Sequence, residues 1–304
     1  AGVMALAVAR PGINVDLLLE TTGGIPLLVA ESLAECADDM LPRNVTDHVV
    51  GRLSRLPAGA RTLIDAVAVL GSDATIDVLG DVVAHVPSEL TAAVMAGVLE
   101  RRGRAVGFRH ELTRQAVLDA IPVFERRALH ACAVAVLTAD GRESDIARTV
   151  FHAQEAGDSD VVLRYAPRAA ERAMLGGEFA EDAEQYARAF RHGRGQPDGI
   201  RASWLENQAR AAYLSGQVVT AAETVAEAIG LRRGAGDMLR EGEDHRRLSN
   251  YRFFAGAPPA KVGESAETAI RILEPLGPTP ELAGAYANAA QLCFVMGDHD
   301  GAVD

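Results

Sequence analysis

The chain has 304 residues, 48% of them hydrophobic, which is enough for two or three domains or one extended array and too apolar for a disordered tail. Its formal charge of −12 excludes a surface built to neutralise phosphate backbones, because nucleic-acid binding draws on clustered Lys and Arg that release counterions. Cys36, Cys132 and Cys293 lie far apart among apolar neighbours at helical spacing, which predicts small core residues in a reducing compartment and no disulfide framework. No apolar run approaches a membrane span, and the stretch from Ala1 to Ala9 is too short, with no basic residue before it, for a signal sequence. A soluble cytoplasmic protein that touches no membrane is expected.

In chain order, Met4, Leu6 and Val8 belong to an apolar segment with no opening cap. Thr22-Gly23-Gly24-Ile25-Pro26 then reads as a glycine turn with a proline in the first turn of a helix bearing Leu27, Leu28 and Leu33. Val49, Leu53 and Leu56 form a helical face that ends at Pro57, and Leu63, Ile64, Val67 and Leu70 form one that ends at Gly71. Ile76, Leu79, Val82, Val83 and Val86 run to Pro87, and Leu90, Val94, Val98 and Leu99 run to Gly103, with Ser88 as the N-cap of this last helix.

Arg101-Arg102-Gly103-Arg104 is a solvated loop, and Val106-Gly107-Phe108 after it is a brief β-type run within a small β element at 104–108. Leu112, Ala116, Val117, Ala120 and Ile121 return to helical spacing, so His110 falls in the first turn of a helix that directly follows a strand. A helix start leaves unpaired N–H groups and a partial positive charge, so an imidazole placed there stands where a phosphate would bind. Pro122 begins a further helix carrying Phe124, Leu129, Cys132, Val136 and Leu137, closed by Asp140-Gly141. Several short helices, a small β element and another helix is the element order of a winged-helix module.

From about residue 160 the chain turns to alanine-rich helices, and aligning Gly177, Gly216, Gly256 and Gly297 gives intervals of 39, 40 and 41 residues. Seven residues before each glycine stands a small residue, Ala170, Ala209, Ser249 or Ala290, and three before it a large one, Met174, Tyr213, Phe253 or Phe294. The two lie four apart, on one helix face. Ten residues after the first three glycines come Ala187, Ala226 and Ala266, placed where a second helix would approach the first closely. A glycine turn between paired helices that bury their faces on the next pair is the logic of a helical solenoid. The pattern resembles tetratricopeptide repeats, whose period is about 34 residues; connectors at 193–197, 234–237, 257–259 and 277–280 carry the excess. Asp304 falls inside what should be the second helix of a fourth unit, so the sequence reads as part of a longer chain.

The absent motifs are as informative. Gripping a nucleoside triphosphate takes a glycine-rich loop ending in Gly-Lys-Ser/Thr, and the only lysine is Lys261, followed by Val262. No apolar strand ends in the paired carboxylates that hold magnesium, so neither Walker motif is present and this chain alone is not expected to be an enzyme. His48, His85, His130, His152, His192, His245 and His299 are scattered without metal-ligand spacing, and no cysteine or Gly-x-Ser-x-Gly elbow forms a nucleophile. Tyr165, Tyr213, Phe253 and Phe294 stand at helical spacing and read as core filling.

Thr22 to Glu31 and Phe108-Arg109-His110-Glu111-Leu112, with His152-Ala153-Gln154-Glu155-Ala156-Gly157-Asp158 further on, resemble the STAND class of multidomain signalling ATPases, most closely their LuxR-type, MalT-like transcriptional regulators. The resemblance implies an all-α architecture: the end of an ATPase accessory helical domain at 1–45, a winged-helix-like domain at 46–140, a connecting helix at 141–159 and tetratricopeptide-like repeats at 160–304. It places Gly24 and Pro26, with Ile25 where many members carry Asn, beside the nucleotide, and makes His110 a sensor of the ADP diphosphate. Arg109 has no assigned part, and Glu111 and Arg114 are surface groups or an interdomain pair. ATP or ADP would be held by the parent protein and by nothing in this chain. The implied partners are an upstream nucleotide-binding domain, a downstream DNA-binding domain, an inducer on the repeats and further copies in an oligomer. Two other readings stand beside this one: a repeat adaptor that binds proteins without nucleotide, and the same core joined to a cyclase or kinase effector.

Overall fold

The structure, a computed structural model, describes residue 51 and residues 53–71, 74–83, 85–139 and 146–296. Helices dominate, with one antiparallel hairpin among the described residues. They fall into two units, the first running to Ala139 and including the end of the helix Ile146–Ala156, the second comprising the rest of that helix and everything from Asp158.

In the first unit, α1 (Ala58–Leu70) follows the fixed φ of Pro57 and stops at Gly71, whose φ of 61° an L-residue adopts only with strain. Its apolar residues recur so densely that Leu63, Ile64, Val67 and Leu70 are all buried, and α1 is the central helix of this unit. Short α2 (Ile76–Val82) opens on Thr75, whose hydroxyl accepts from the Val78 N–H at 3.3 Å. Here the structure departs from the expected boundaries. The chain leaves α2 at Val83, passes through His85 in the left-handed region at φ 58°, and enters α3 (Val86–Met95) with Pro87 in its first turn. Pro87 therefore opens a helix rather than closing one, which its missing N–H permits at a helix start. Ser88 caps nothing; its hydroxyl donates to the His85 carbonyl.

Gly97, at φ 71°, ends α3, with Gly97 N–H bonded to Val94 and Val98 N–H to Ala93. Leu99 is thereby freed from the helix and begins β1 (Leu99–Arg102), which turns at Gly103 and pairs antiparallel with β2 (Ala105–Phe108), Leu99 opposite Phe108. Leu99, Val106 and Phe108 point inward while Arg101, Arg102 and Arg104 stay in solvent. An isolated Thr75–Ala105 bridge adds one more rung. Next come α4 (Glu111–Ala120) and α5 (Val123–Ala139), and α3, α4, α5 and β2 all pack on α1. Cys132, expected in the core, is exposed on α5, as is Phe124.

The other helices are α6 (Ile146–Ala156), α7 (Ser159–Gly176), α8 (Phe179–His192), α9 (Asp198–Leu214), α10 (Val218–Ala235), α11 (Met238–Phe254), α12 (Pro259–Leu273) and α13 (Pro280–Met296). From α8 onward each helix packs on the one before it, and α11 also meets α13. The turns follow one chemistry. Gly157, Gly177, Gly216, Gly236 and Gly256 hold φ between 70° and 82°. The residue after each returns its N–H to a carbonyl five back, as Glu178 to Ala173 and Gln217 to Ala212. Gly177, Gly216 and Gly256 thus take the turn role expected of them, whereas Gly297 lies outside the described residues. Gly234 and Ala235, expected in a connector, are the end of α10.

Ala170, Ala209 and Ser249 are fully buried at the small positions, and Met174, Tyr213 and Phe253 are half-buried at the large ones. Phe294 is not core filling, being 65% exposed. The close approach expected at Ala187 and Ala226 is displaced: Ala226 is exposed and Ala187 only half-buried, while Tyr186 and Val225, one residue earlier, are buried. Ala266 keeps its buried place because α12 starts three residues after Gly256, where α8 and α10 start two after their glycines; Pro258 and Pro259 lengthen that turn.

Candidate functional site

The short β2 strand delivers the chain to His110, which is the N-cap of α4 with φ −137° and ψ 130°. Its carbonyl accepts the first helical bonds, from Thr113 N–H at 3.1 Å and Arg114 N–H at 3.3 Å, and Arg109 N–H bonds back to Val98 at 3.4 Å. The imidazole makes no capping bond, so it leaves the first N–H groups of α4 without a side-chain acceptor from that position. The ring is half-buried, between the exposed Arg109 and Glu111.

Arg114 ties this helix start to the core helix. Its Nη1 donates to the Ala68 carbonyl of α1 at 2.9 Å, while Nε and Nη2 grip the Glu111 carboxylate at 2.6–3.0 Å. That bidentate contact holds Glu111 below its usual value and raises Arg114. Glu111 and Arg114 thus pair with each other as i,i+3 neighbours within α4, not as a pair between domains. Gly24 and Pro26 lie outside the described residues, so the grouping of all three expected site residues is not observed.

A cleft of about 340 Å³ lies at the opposite, C-terminal end of α4, where Val117 and Ile121 meet Arg61 and Asp65 of α1 and Glu125 of α5. Burial pushes the Asp65 carboxyl up to about 6, against the pull of Arg61 and with the help of Glu125. No metal-holding group of three or more His, Cys, Asp or Glu occurs among the described residues, and none of their single helices is long and apolar enough to cross a membrane.

The densest polar constellation is one that the sequence pattern did not single out. Glu206 of α9 and Arg232 of α10, both over nine-tenths buried, pair at 2.6 Å; Arg232 also donates to Ser203 at 2.9 Å and to the α11 N-cap Asp237 at 3.1 Å. On α11, Glu243 accepts from Arg246 at 2.6 and 2.7 Å and from Arg247 at 3.1 Å. Arg247 Nη1 stands 3.4 Å from the wholly buried Asp244 and 3.9 Å from Glu206. Burial and the neighbouring Glu206 push Asp244 up to about 8, with Arg247 and Arg232 opposing. The run Glu241-Gly242-Glu243-Asp244-His245-Arg246-Arg247 was its available signal, since so many charges on one helix cannot all face solvent.

Asp182 on α8 is a second buried acid: it has no exposed surface, and neither carboxylate oxygen finds a donor among the described residues. Burial pushes it up to about 6 although Arg210 favours the charged form. The Tyr251 ring of α11 stacks on Tyr213 of α9 with centroids 5.0 Å apart, in accord with a packing role for Tyr213.

No protein-family model matches the sequence, and no curated protein matches it. Among solved structures the chain is similar to a Signal Transduction ATPase with Numerous Domains (STAND) protein with a tetratricopeptide repeat sensor from Pyrococcus horikoshii, at 12% identity and a TM-score of 0.44 over 99% of this chain. This chain spans 51% of that one, about half its length. It is also similar to BtubC from P. vanneervenii, at 14% identity and a TM-score of 0.43, covering 84% of this chain and 87% of that one. Likeness at this level fixes no function.

Proposed function

We propose that this chain is the regulatory and sensor region of a LuxR-type STAND ATPase, in which α1–α5 with the β1–β2 hairpin serve as a winged-helix module and α7–α13 as a tetratricopeptide-like sensor. The observation that carries this reading is His110. It stands at a helix start immediately after a strand, half-buried, with its ring committed to no capping bond. A ring so placed, over N–H groups that favour negative charge, suits the diphosphate of an ADP gripped by a separate nucleotide-binding domain. Arg114 fixes the angle of α4 by bonding to α1, so a ligand pulling on His110 pulls on the core of this unit.

Function then follows as a population shift in a cytoplasmic, inducer-responsive regulator. ADP bound against His110 favours the closed monomer, and inducer on the repeats favours an ATP-bound oligomer that presents a DNA-binding domain outside this chain. In the full-length parent, His110→Ala is expected to speed ADP release and raise basal transcription. Unchanged ADP release with unchanged basal transcription would overturn the assignment.

One observation favours a protein-binding adaptor instead. Leu175, Leu214 and Phe254, each two residues before a turn glycine, are 89%, 45% and 54% exposed. Recurrent apolar exposure at one register position suits a docked protein segment. The readings separate on nucleotide: an adaptor binds its partner equally with ADP, ATP or neither.

A further inference from the structure

Charge does not balance in the cluster that joins α9, α10 and α11. The carboxylates of Glu206, Asp237, Glu243 and Asp244 face the guanidinium groups of Arg232, Arg246 and Arg247, four acids against three bases. Each acid but one has a short charged contact of its own. Glu206 has Arg232 at 2.6 Å, Glu243 has both Arg246 and Arg247, and Asp237 has Arg232. Asp244 is left with the long 3.4 Å bond to the same Arg247 nitrogen that lies 3.9 Å from Glu206, and its Oδ2 is buried with no hydrogen-bond partner among the described residues. An uncompensated charge and an unpaired acceptor in one buried place both call for one more donor.

We propose that a single proton is held between the Asp244 and Glu206 carboxyls, and that its loss loosens the joint between α9 and α11. Protonated, Asp244 donates to the Glu206 carboxylate, the orphaned oxygen is satisfied, and the three remaining negative charges match the three guanidiniums. Deprotonated, two carboxylates face each other across the joint with one nitrogen of Arg247 between them, and like charges repel. The groups facing Asp244 are Glu206 from α9, Arg232 from α10, and Glu243, Arg247 and Tyr251 on α11 itself. The contacts from α12 and α13 to α11 are made elsewhere: Leu273 lies against Gly242, Ser265 accepts from Arg252, Asn288 bonds to Ser249, and Arg271 influences His245. Nothing there replaces the proton.

The array then senses pH in the neutral range. In the unfolded chain Asp244 is ionised throughout that range, so the folded state holds one extra proton and its stability falls as pH rises, by up to about tenfold in the folded-to-unfolded ratio per pH unit. Urea denaturation of the chain between pH ~7 and ~8.5 reads this slope, and Trp204, the only tryptophan and two residues from Glu206, gives a local signal by fluorescence. His130 and His245, held low by burial, contribute the opposite sign, and Asp65 and Asp182, which share the sign, are raised only to about 6 and have released most of their protons at the lower end of this range. Asp244→Asn, whose amide donates permanently, is expected to abolish both the slope and the pH-dependent shift of Trp204 emission. Should Asp244→Asn fail to fold, Glu206→Gln supplies the same donor from the other side. A flat wild-type profile, or a slope that survives in the folded variant, would overturn the shared proton.

Discussion

Asp182 is the residue whose chemistry is worst matched to its place. Its counterpart after Gly216, five residues on, is Ala221, also buried, so the helix pair has room for a methyl where Asp182 sets a carboxyl without donors. Because the folded-state value is raised from 3.8 to about 6, the folded form binds a proton that the unfolded form has already released. The resulting stability is full below the lower value and is lost as pH rises through the upper one, on the order of 3 kcal/mol in all. Asp182→Ala is therefore expected to stabilise the chain at pH ~7.5 by about 1–3 kcal/mol and to have far less effect at pH ~4, as chemical denaturation at the two pH values would show. Equal effects at both would mean that the carboxyl is not the strained group. His110 offers the opposite case. With no capping bond to lose, His110→Ala is expected to change the stability of this chain by less than about 0.5 kcal/mol, so that any change in nucleotide retention is separable from misfolding; a loss above about 2 kcal/mol would give the ring a structural role instead.

At the level of elements, the contacts are set by where a Cβ does and does not fit. Gly242 lies so near Leu273 that a Cβ would overlap its side chain, which is how α11 and α12 come together over a fully buried leucine. Gly242→Ala is expected to cost about 1–3 kcal/mol by overpacking, read as a lowered denaturation midpoint, and Leu273→Ala added to it should recover part of that loss. Arg232→Met is expected to cost more, about 3–5 kcal/mol, because Glu206 would remain buried without its 2.6 Å partner. Neither Gly242 nor Arg232 was legible as a contact in the sequence, since their partners are 31 and 26 residues away. What was legible was local: the helix-ending glycines, the strand before His110 and the small-large pairs, each fixed by residues within a turn or two. The misplaced boundaries have one cause. Pro87 and Gly97 act on the residues next to them, whereas apolar spacing continues unbroken from Val82 to Val86 and across Gly97, and so gave no sign that α2 had ended or that β1 had begun.

At the scale of the molecule, helices from α7 to α13 pack chiefly on their neighbours in sequence, and that connectivity governs how the array comes apart. In a structure stabilised by successive interfaces, an internal helix is protected by contacts on both sides and an end helix by fewer. Helices α9, α10 and α11 have packed neighbours before and after them and share the Glu206–Arg232–Arg247 cluster, while α13 meets only α12 and α11 among the described elements with which it packs closely. In the 304-residue chain, hydrogen exchange is therefore expected to be slowest in α9–α11 and to quicken toward α13 at neutral pH. The shared proton adds a second demand: once exchange is corrected for its own pH dependence, raising pH through about 8 should reduce protection in α9–α11 more than in α7 or α12, because only that joint carries the extra charge. Uniform protection from α7 to α13 would show that the array opens as a single cooperative block, and neighbour-by-neighbour packing would then be the wrong account of its stability. A graded profile that did not respond to pH would keep the packing account and remove the proton from it.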